Sequence, residues 1–321
     1  MARIFIVAAL CFSSHAFAQK PTIIFDSDIG PDYDDVGALA MLHAFADAGE
    51  CDVLATIASN NHPNIVPVLS VINTYFNRPD LPIGMVRGNS VRLPAWQKWD
   101  SVLVAKYPHK LNSNAQAEDA VTLYRKLLAA QPDRSVTIVT VGFITNMANL
   151  LRSAPDGHSQ LDGAALVKKK VAKLISMAGG FPAFKEFNVE KDVQASQYAF
   201  QYWPTEIYFT GWEIGKDIFS GLPLVKSQIQ NSPVKDAFAI SIPKSKEDIN
   251  GRKSWDQTAV LIAVRGVETH YRLVPGKIVV HSDGRNEWDT NASGHFYVVP
   301  KTPVKEVEKI INDLMMHQPR R

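Results

Sequence analysis

The chain has 321 residues, and 46% of them are hydrophobic, so it is long and apolar enough to bury a large core. Its 34 basic and 32 acidic side chains leave a formal net charge of only +2. This balance comes without a basic run or a basic patch interleaved with aromatic residues. It gives no reason to expect a nucleic acid or an anionic membrane as a partner.

The amino-terminal segment predicts an export signal. The positive start MAR, the apolar stretch IFIVAALCF and the small-x-small sequence AFA at residues 16–18 follow in the order of a secretory signal peptide. The apolar stretch is too short to span a bilayer, and no later run approaches the required length. We therefore predict a signal peptide over residues 1–18, a single domain over residues 19–321, and a periplasmic or secreted protein.

Apolar runs of strand length alternate with longer segments of helical periodicity along the rest of the chain. The predicted strands are Thr22–Phe25, Val53–Ile57, Leu81–Val86, Val136–Val141, Leu174–Met177 and Ile207–Thr210. The predicted helices are Val36–Ala48, Ile65–Phe76, Ala117–Ala130, Thr145–Arg152, Asp192–Trp203, Trp255–Val264 and Lys301–His317. Residues 245–253 are predicted as a polar loop, and a strand-rich segment is expected before the last helix.

Alternation of this kind is typical of a parallel sheet covered by helices on both faces. The predicted strands are apolar on both sides, as a doubly covered sheet requires. Neither an internal repeat nor a low-complexity linker interrupts the pattern. The sequence therefore predicts one α/β domain with a mostly parallel, Rossmann-like central sheet flanked by helices.

Five aspartates come directly after the first predicted strand, in the segment PTIIFDSDIGPDYDDVG at residues 21–37. One of them could serve as a helix N-cap, but capping does not account for five. Clustered carboxylates are tolerated when a hard cation neutralises them, and Ca²⁺ takes about six to eight oxygen ligands. Because ligands of open parallel sheets bind beyond the carboxyl ends of the strands, the sequence predicts a cation site at that edge.

Polar loops follow three other predicted strands. They contain Ser59-Asn60-Asn61, residues 142–146 and residues 178–188. Since the carboxyl ends of parallel strands meet at one edge, we expect these loops to lie beside the aspartate cluster.

The motifs in these loops resemble those of a known family. Asp26-Ser27-Asp28-Ile29-Gly30 followed by Asp34-Asp35 is similar to the amino-terminal motif of the nucleoside hydrolases. Those enzymes depend on calcium and cleave the N-glycosidic bond between a base and ribose. Three later segments resemble further motifs of the family in the same order: VGFITNMANLLR at 141–152, MAGGFPAFKEFNVEKD at 177–192, and Trp255-Asp256. The resemblance covers nearly the whole chain after the signal peptide.

The resemblance implies a calcium site and a catalytic carboxylate. It assigns Asp28, Asp35 and Asp256 as metal ligands, together with the main-chain carbonyl of Thr145. Asp28 would also activate the attacking water, because a metal lowers the pKa of a bound water and a nearby carboxylate can take its proton. Members of the family are commonly dimers or tetramers, so a homo-oligomer is expected.

The resemblance also implies a sugar site. Its members are Asp34, Asn61, Glu186 and Asn188, which would bind the ribose hydroxyls. Two choices stay open at this point. The motif here carries two extra residues, so Asp32 competes with Asp34, and Asn60 competes with the neighbouring Asn61.

Two further departures from the family pattern concern the sugar and the leaving base. The glycine-rich segment is short and lacks an asparagine that many members use on the sugar. Trp255 stands where many members carry a histidine that protonates the base. A tryptophan cannot donate that proton, but it can stack on a purine. The pattern therefore favours a purine ribonucleoside.

Several other residues are candidates for roles at the base. A second stacking face would come from Trp96 or Trp99, although either is as readily an ordinary loop or core aromatic. The histidines that remain as candidate acids are His43, His62, His281 and His295.

Two alternative functions stay open from the sequence. TIIFDSD also resembles the first motif of haloacid dehalogenase-type phosphatases, in which Asp26 would be the nucleophile and Asp28 the acid. The departures from the family pattern also leave a non-catalytic periplasmic binder of nucleosides or sugars on the same scaffold.

Overall fold

The structure is a computed structural model that describes residues 20–319. The signal peptide and cleavage site predicted over residues 1–18 lie outside the described residues and stay a prediction. Within the described part of the chain, none of the helices combines the length and apolar character needed to cross a bilayer.

Strands and helices alternate as the sequence predicts. The strands are β1 (Thr22–Ser27), β2 (Asp52–Ala58), β3 (Ile83–Met85), β4 (Glu118–Asp119), β5 (Val136–Thr140), β6 (Val171–Ser176), β7 (Ala183–Phe184), β8 (Glu206–Phe209), β9 (Phe219–Ser220), β10 (Arg252–Lys253), β11 (Tyr271–Val280), β12 (Asn286–Asp289) and β13 (His295–Pro300). The helices are α1 (Asp34–Asp47), α2 (Ile65–Tyr75), α3 (Trp99–Lys106), α4 (Ala120–Ala130), α5 (Thr145–Arg152), α6 (Gly163–Lys170), α7 (Phe187–Lys191), α8 (Val193–Tyr202), α9 (Trp212–Gly215), α10 (Leu222–Lys226), α11 (Pro233–Ser241), α12 (Trp255–Arg265) and α13 (Val304–Met315).

Most of the strands join one twisted central sheet. Its eleven strands run in the order β4-β3-β2-β1-β5-β6-β8-β13-β11-β12-β7. From β4 to β13 the neighbours pair in parallel, whereas β11, β12 and β7 add an antiparallel edge. The predicted fold class, one α/β domain with a mostly parallel sheet flanked by helices, is therefore confirmed.

The first strand lies between β2 and β5 in the middle of the sheet. Ile23 and Phe25 point into the apolar core on one face, whereas Ile24 belongs to the core on the other face. Each such side chain contributes about 1.5–3 kcal/mol when it is fully buried. Because both faces are covered, the polar residues that follow β1 are held at the edge of a rigid layer.

Helices α1 and α12 bring two distant parts of the chain together. Asp34 and Asp35 occupy the first turn of α1, and Asp256 occupies the first turn of α12, where the helix dipole favours negative charge. A Cβ at Gly37 would lie 2.6 Å from Gln257 Nε2, so glycine permits the close approach of the two helices. The two helix starts and the end of β1 therefore meet.

Among the helices of eight residues or more, the sequence misses α3, α6 and α11. The third of these carried a readable signal, because Ser232 caps the helix by accepting from the Lys235 peptide N–H and Pro233 stands at its first position. The predicted polar loop over 245–253 contains a short turn of 3-10 helix and β10, which pairs with β9. Its Arg252 is buried in the site described below.

Candidate active site

A cavity of ≈ 300 Å³ opens beyond the carboxyl ends of the central parallel strands. Its walls come from the loops after β1, β5 and β6 and from the start of α12, as the positions of the predicted motifs require. The residues that line it include Asp28, Asp32, Asp34, Trp96, Val141, Met177, Phe184, Glu186, Phe187, Asn188, Trp212, Arg252, Trp255 and Asp256.

Two groups of residues are named for their place in this cavity. The charged floor consists of Asp28, Asp32, Asp34, Asp35, Arg252 and Asp256. The aromatic mouth consists of Trp96, Phe184, Phe187, Trp212 and Trp255.

Asp35 belongs to the floor but does not line the cavity, and one of its two oxygens is held by hydrogen bonds. Its Oδ1 accepts a hydrogen bond from Ser27 Oγ at 2.6 Å and another from the Ile29 peptide N–H at 3.1 Å. Its Oδ2 is buried and has no hydrogen-bond partner among the described residues. Burial, and then the neighbouring Asp34 carboxylate, raise the pKa of Asp35 to about 6. A buried acceptor without a partner is costly unless something else binds it.

Asp28 and Asp256 lie close to it and are equally hidden, each being 4% exposed. Burial is the main reason that the pKa of each carboxyl is raised well above its usual range, and neighbouring aspartates add to the effect. Gly142 allows this packing, since a Cβ there would lie only 2.3 Å from the Asp28 peptide nitrogen. The floor thus concentrates negative charge that the fold alone stabilises poorly.

The aspartates of the floor fall into two sets. One oxygen each from Asp32, Asp34 and Asp35 lies within 4.8 Å of the others, but Arg252 forms ion pairs with Asp32 and Asp34. Among the described residues, no basic side chain forms an ion pair with Asp28, Asp35 or Asp256. The three carboxylates predicted as metal ligands are therefore the ones that the protein does not neutralise.

The acidic residues of the floor, taken together, fit a divalent cation. Carboxylate oxygens are the ligands that Ca²⁺ and Mg²⁺ prefer, and the partnerless Oδ2 of Asp35 is directed to no protein donor. A cation bound here would offset the repulsion among these carboxylates. The acidic cluster can hold a metal.

Thr145 is the first residue of α5 and lies next to the loop after β5. Its Oγ1 donates to Asp192 Oδ2 at 2.6 Å, so the hydroxyl is used inside the fold. Thr145 is not among the lining residues of the cavity. The prediction that its main-chain carbonyl binds the metal stays a prediction.

Glu186 and Asn188 line the wall of the cavity. Glu186 caps α7, with Oε1 accepting from the Asn188 peptide N–H at 2.8 Å and Oε2 from the Gly179 N–H at 3.1 Å. Burial raises the pKa of Glu186 to about 7, although its backbone donors act in the opposite direction. Asn188 Nδ2 donates to the carbonyls of Val141 and Met177 at 3.2 and 3.1 Å. The amide oxygen of Asn188 is then the group that can accept from a ligand.

The two asparagines after β2 have different surroundings. Asn60 is fully buried, and its Nδ2 donates to the Asp28 carbonyl at 3.2 Å and to the Leu93 carbonyl at 2.9 Å. It therefore supports the backbone of Asp28. Asn61 is partly exposed, and neither residue is among those that line the cavity.

The aromatic mouth surrounds the entrance. Trp255 Nε1 donates to the Trp212 carbonyl at 2.7 Å, which fixes the plane of the indole. Phe184 stacks on Trp212 with ring centroids 4.7 Å apart. Trp96 is 54% exposed at the opening, whereas Trp99 is fully buried in the core. Of the two tryptophans considered from the sequence, Trp96 is the one that can meet a ligand.

None of the four candidate histidines is among the lining residues. His43 and His295 are buried, and burial lowers the pKa of each to about 3, so both are neutral at physiological pH. His62 lies 3.7 Å from Asp100, and His281 lies 3.5 Å from Glu287.

Asp26 does not face the cavity. It is fully buried, and its Oδ2 accepts from Tyr124 Oη at 2.9 Å and from Asn146 Nδ2 at 3.0 Å. The phosphatase alternative needs this carboxylate as an exposed nucleophile, so the structure does not support it.

Sequence reasoning missed Arg252, Phe184, Phe187 and Trp212 as parts of the site. For Arg252 a signal existed. Five clustered aspartates with no basic residue among them in the sequence indicate that a basic side chain from a distant segment could pair with them. The aromatic residues carried none, since aromatic side chains in loops are common.

Comparisons with known proteins identify a family and relatives of this chain. A family model described as inosine-uridine preferring nucleoside hydrolase matches residues 23–303. The pyrimidine-specific ribonucleoside hydrolase RihA of Salmonella enteritidis PT4 is 31% identical over 203 residues. That match covers 56% of this chain and 56% of the relative, so the chain spans about half the length of the curated relatives it matches.

Solved structures share the fold over most of the chain. An inosine-guanosine nucleoside hydrolase has a TM-score of 0.72 at 17% identity, covering 92% of this chain and 98% of that one. A purine-preferring ribonucleoside hydrolase from Gardnerella vaginalis has a TM-score of 0.71 at 15% identity, covering 92% and 99%. At such identities the likeness shows the fold alone.

Proposed function

Because this chain belongs to the family of inosine-uridine preferring nucleoside hydrolases, we propose that it hydrolyses the N-glycosidic bond of ribonucleosides and releases base and ribose. One observation carries the proposal. Three buried aspartates that have no basic partner in the described part of the chain lie at the floor of a cavity whose mouth is aromatic. That combination suits a polar sugar below and a flat base above.

We propose Ca²⁺ as the cation, bound by Asp28, Asp35, Asp256 and the main-chain carbonyl of Thr145. All of these donors are oxygens, which suits a hard cation, and three of them are buried without a protein counter-charge. When bound, such a cation supplies charge neutralisation and a water of lowered pKa.

The residues of the floor would carry the reaction. Asp28 takes a proton from the attacking water, whose oxygen forms a bond to C1′ of the ribose. The C1′–N bond breaks with its electron pair leaving on the base, which gains a proton. The transition state resembles an oxocarbenium ion, so the negative floor stabilises the positive charge that develops on the sugar. Asn188 and Glu186 on the wall would contact the sugar hydroxyls.

We propose a purine as the preferred base. The relatives include pyrimidine-specific and purine-preferring enzymes by name, so membership of the family does not select the base. Trp255 and Trp96 at the mouth offer two aromatic faces, and no histidine among residues 20–319 lines the cavity to protonate a leaving base. A purine can be protonated at N7, whereas uracil has no comparably basic site.

A turnover assay tests these proposals. Ribose release is measured from inosine, adenosine, uridine and cytidine, in calcium and in a chelator of calcium. Release from the purine nucleosides that stops with the chelator is the expected result. Binding of a nucleoside without ribose release would instead favour the non-catalytic binder. Metal dependence with equal rates for uridine and inosine would remove the purine preference only.

Location and assembly are proposed on the sequence alone. We propose that the protein is exported, that its first eighteen residues are removed, and that it forms a dimer or tetramer in the periplasm or outside the cell. Mass spectrometry of the native protein and light scattering of the purified one check these points. Retention of residues 1–18, or a monomer at working concentration, would contradict them.

A further inference from the structure

A buried arginine lies inside the charged floor. Arg252 is only 9% exposed and stands on β10, next to the start of α12. A guanidinium keeps its charge in a protein, so burying one is costly unless hydrogen-bonded carboxylates surround it. The partners of Arg252 therefore indicate what it is for.

Those partners are Asp32 and Asp34 of the aspartate motif, together with Asp248, whose Oδ1 lies 3.8 Å from Arg252 Nη1. Arg252 Nε and Nη2 donate to Asp34 Oδ1 at 2.9 and 2.7 Å, and Nη2 also donates to Asp32 Oδ2. The guanidinium lies 5.4 Å from the ring centre of Tyr33 and 5.1 Å from that of Trp255. It links the loop after β1 to the base-binding side of the cavity.

Tyr33 ties the same two segments together from the other side. Its hydroxyl donates to Asp248 Oδ2 at 2.8 Å, and its ring packs edge to face on Phe238 at 4.9 Å. Asp32 and Tyr33 are both ordered by residues 248–252. We call Asp32, Tyr33, Asp34, Asp248 and Arg252 the arginine clamp.

The clamp treats its two cavity-facing carboxylates differently. Asp34 has both oxygens engaged, because Oδ1 accepts twice from Arg252 and Oδ2 accepts from the Asp256 peptide N–H at 3.4 Å. Its side chain is 2% exposed, against 25% for Asp32. Asp32 meets Arg252 through Oδ2, so its Oδ1 is the clamp oxygen best placed to accept from a ligand.

We propose that Arg252 is a positioning residue that withdraws Asp34 from the sugar and presents Asp32 to it, so that Asp32 binds the ribose hydroxyls. The inference rests on the proposed ribonucleoside-binding function. The family resemblance assigns the sugar contact to Asp34. The proposal assigns it instead to Asp32, one of the two residues that are extra relative to the family motif. The second extra residue, Tyr33, anchors the clamp.

Binding of a ligand that cannot be hydrolysed tests this proposal directly. Formycin B is a C-nucleoside analogue of inosine whose base is joined to ribose by a carbon–carbon bond. Calorimetry in calcium measures its affinity and that of its 2′,3′-dideoxy form, and the ratio of the two reports recognition of the hydroxyls. The variants are Asp32→Asn, Asp34→Asn and Arg252→Lys, with the exposed Asp313→Asn as control.

The wild type is expected to prefer formycin B over its dideoxy form. Asp32→Asn should weaken formycin B binding about 10- to 100-fold, as expected for the loss of a charged hydrogen-bond acceptor, and should lower the ratio. Asp34→Asn keeps an oxygen for Arg252 and should leave the ratio within about threefold of wild type. Arg252→Lys loses the planar fork and should lower the ratio, which a purely structural role would not do.

Some outcomes would overturn the proposal. They are a ratio that falls in Asp34→Asn but not in Asp32→Asn, an unchanged ratio in Arg252→Lys, or no formycin B binding by the wild type. If Arg252→Lys fails to fold, the two aspartate variants decide.

The failure of the proposed function is separable. If Asp32 is needed for hydroxyl-selective binding but ribose is not released from inosine, the proposed hydrolase activity is wrong and the proposed role of the arginine clamp stands. If ribose is released but the ratio of the two formycin B affinities is unchanged in Asp32→Asn, the hydrolase activity stands and the proposed role of the clamp is wrong.

Discussion

The charged floor is buried and tied into the central sheet, whereas the aromatic mouth stands on loops and is partly open to solvent. Asp28 and Asp35 are at most 4% exposed, but Trp96 is 54% and Phe184 38% exposed. The floor is held by hydrogen bonds from Ser27 and Ile29 beside β1. Contacts in the mouth include the ring pairs Trp96–Phe187 and Phe184–Trp212.

The two regions differ in what they cost the folded protein and in what they can bind. Burial, and then repulsion from neighbouring aspartates, raise the pKa values of Asp28 and Asp256, so the floor is costly for the fold and is suited to binding a cation. The mouth adds no comparable cost to folding. Its partly exposed aromatic rings can be covered by a bound ligand. Substitutions in the floor should therefore reduce catalytic activity and metal affinity. Substitutions in the mouth should alter the preference for the base of the substrate.

The largest effect is expected from Asp28→Ala. This variant loses the proposed general base and a metal ligand together, so kcat for inosine should fall by about 10³- to 10⁴-fold. The same change removes a buried charge from a repulsive cluster, so the metal-free protein should unfold at the same or a higher temperature. Kinetics and thermal unfolding in a chelator check both parts. A metal-free protein that is strongly destabilised, or kcat reduced less than about tenfold, would contradict the assignment.

The next largest effect is expected from Asp256→Ala. Loss of a direct metal ligand should weaken calcium binding by at least about 100-fold, more than the loss of an outer partner of a ligand usually costs. Calorimetry with calcium measures it, and Asp313→Asn is the matched control, since that carboxylate is exposed on α13. Calcium binding equal to that of the wild type would place the metal elsewhere.

Glu186 lies between the two regions, and its titration should affect stability. Its folded-state pKa of about 7 lies above its ordinary value of 4.5, so the folded protein binds a proton that the unfolded chain releases. The contribution is fully present below about pH 4.5 and is lost as pH rises to about 7, by roughly 3 kcal/mol.

The comparison with Glu186→Gln isolates this effect. The unfolding free energy of the wild type minus that of the variant should fall across the window from about pH 4.5 to 7. A pH-independent component should add to this pH-dependent difference, because glutamine presents one NH₂ to backbone donors. A difference that rises with pH would show that the Gly179 and Asn188 hydrogen bonds outweigh burial.

The mouth is tested by Trp255→Ala. Loss of one base–aromatic stack should cost about 1–3 kcal/mol for purine substrates, which is about 5- to 150-fold in kcat/KM. Trp255→Phe keeps a ring but also loses the hydrogen bond to the Trp212 carbonyl, so the two variants together separate stacking from anchoring. Tyr202→Ala, at an exposed aromatic residue outside the cavity, is the control. Purine turnover that survives Trp255→Ala would contradict the stacking role.

The smallest effect is expected from Thr145→Ser. The proposed metal ligand is a main-chain carbonyl, and serine keeps the hydroxyl that donates to Asp192, so kcat and calcium affinity should change less than about threefold. Thr145→Val should instead lower the free energy of unfolding by about 1 kcal/mol, because Asp192 loses a donor. A large loss of calcium affinity in the serine variant would mean that the side chain matters at the metal.

The sequence by itself determined the parts of the site that depend on local pattern. The aspartates after β1 and the start of α12 at Trp255 follow from residue type and from the periods of strands and helices. Since parallel strands place their carboxyl ends at one edge, this was enough to predict which loops meet. The carboxylates assigned to the metal are also the ones without a basic partner.

Only the tertiary structure decided which side chains within those loops turn toward the cavity. Arg252 meets Asp34 across 218 positions of sequence, and no local period encodes a contact of that kind. The same holds for the choice between Trp96 and Trp99, and for Asn60, which supports the Asp28 backbone. Side-chain direction in a loop is set by distant packing and charge, because irregular backbone has no period that fixes it.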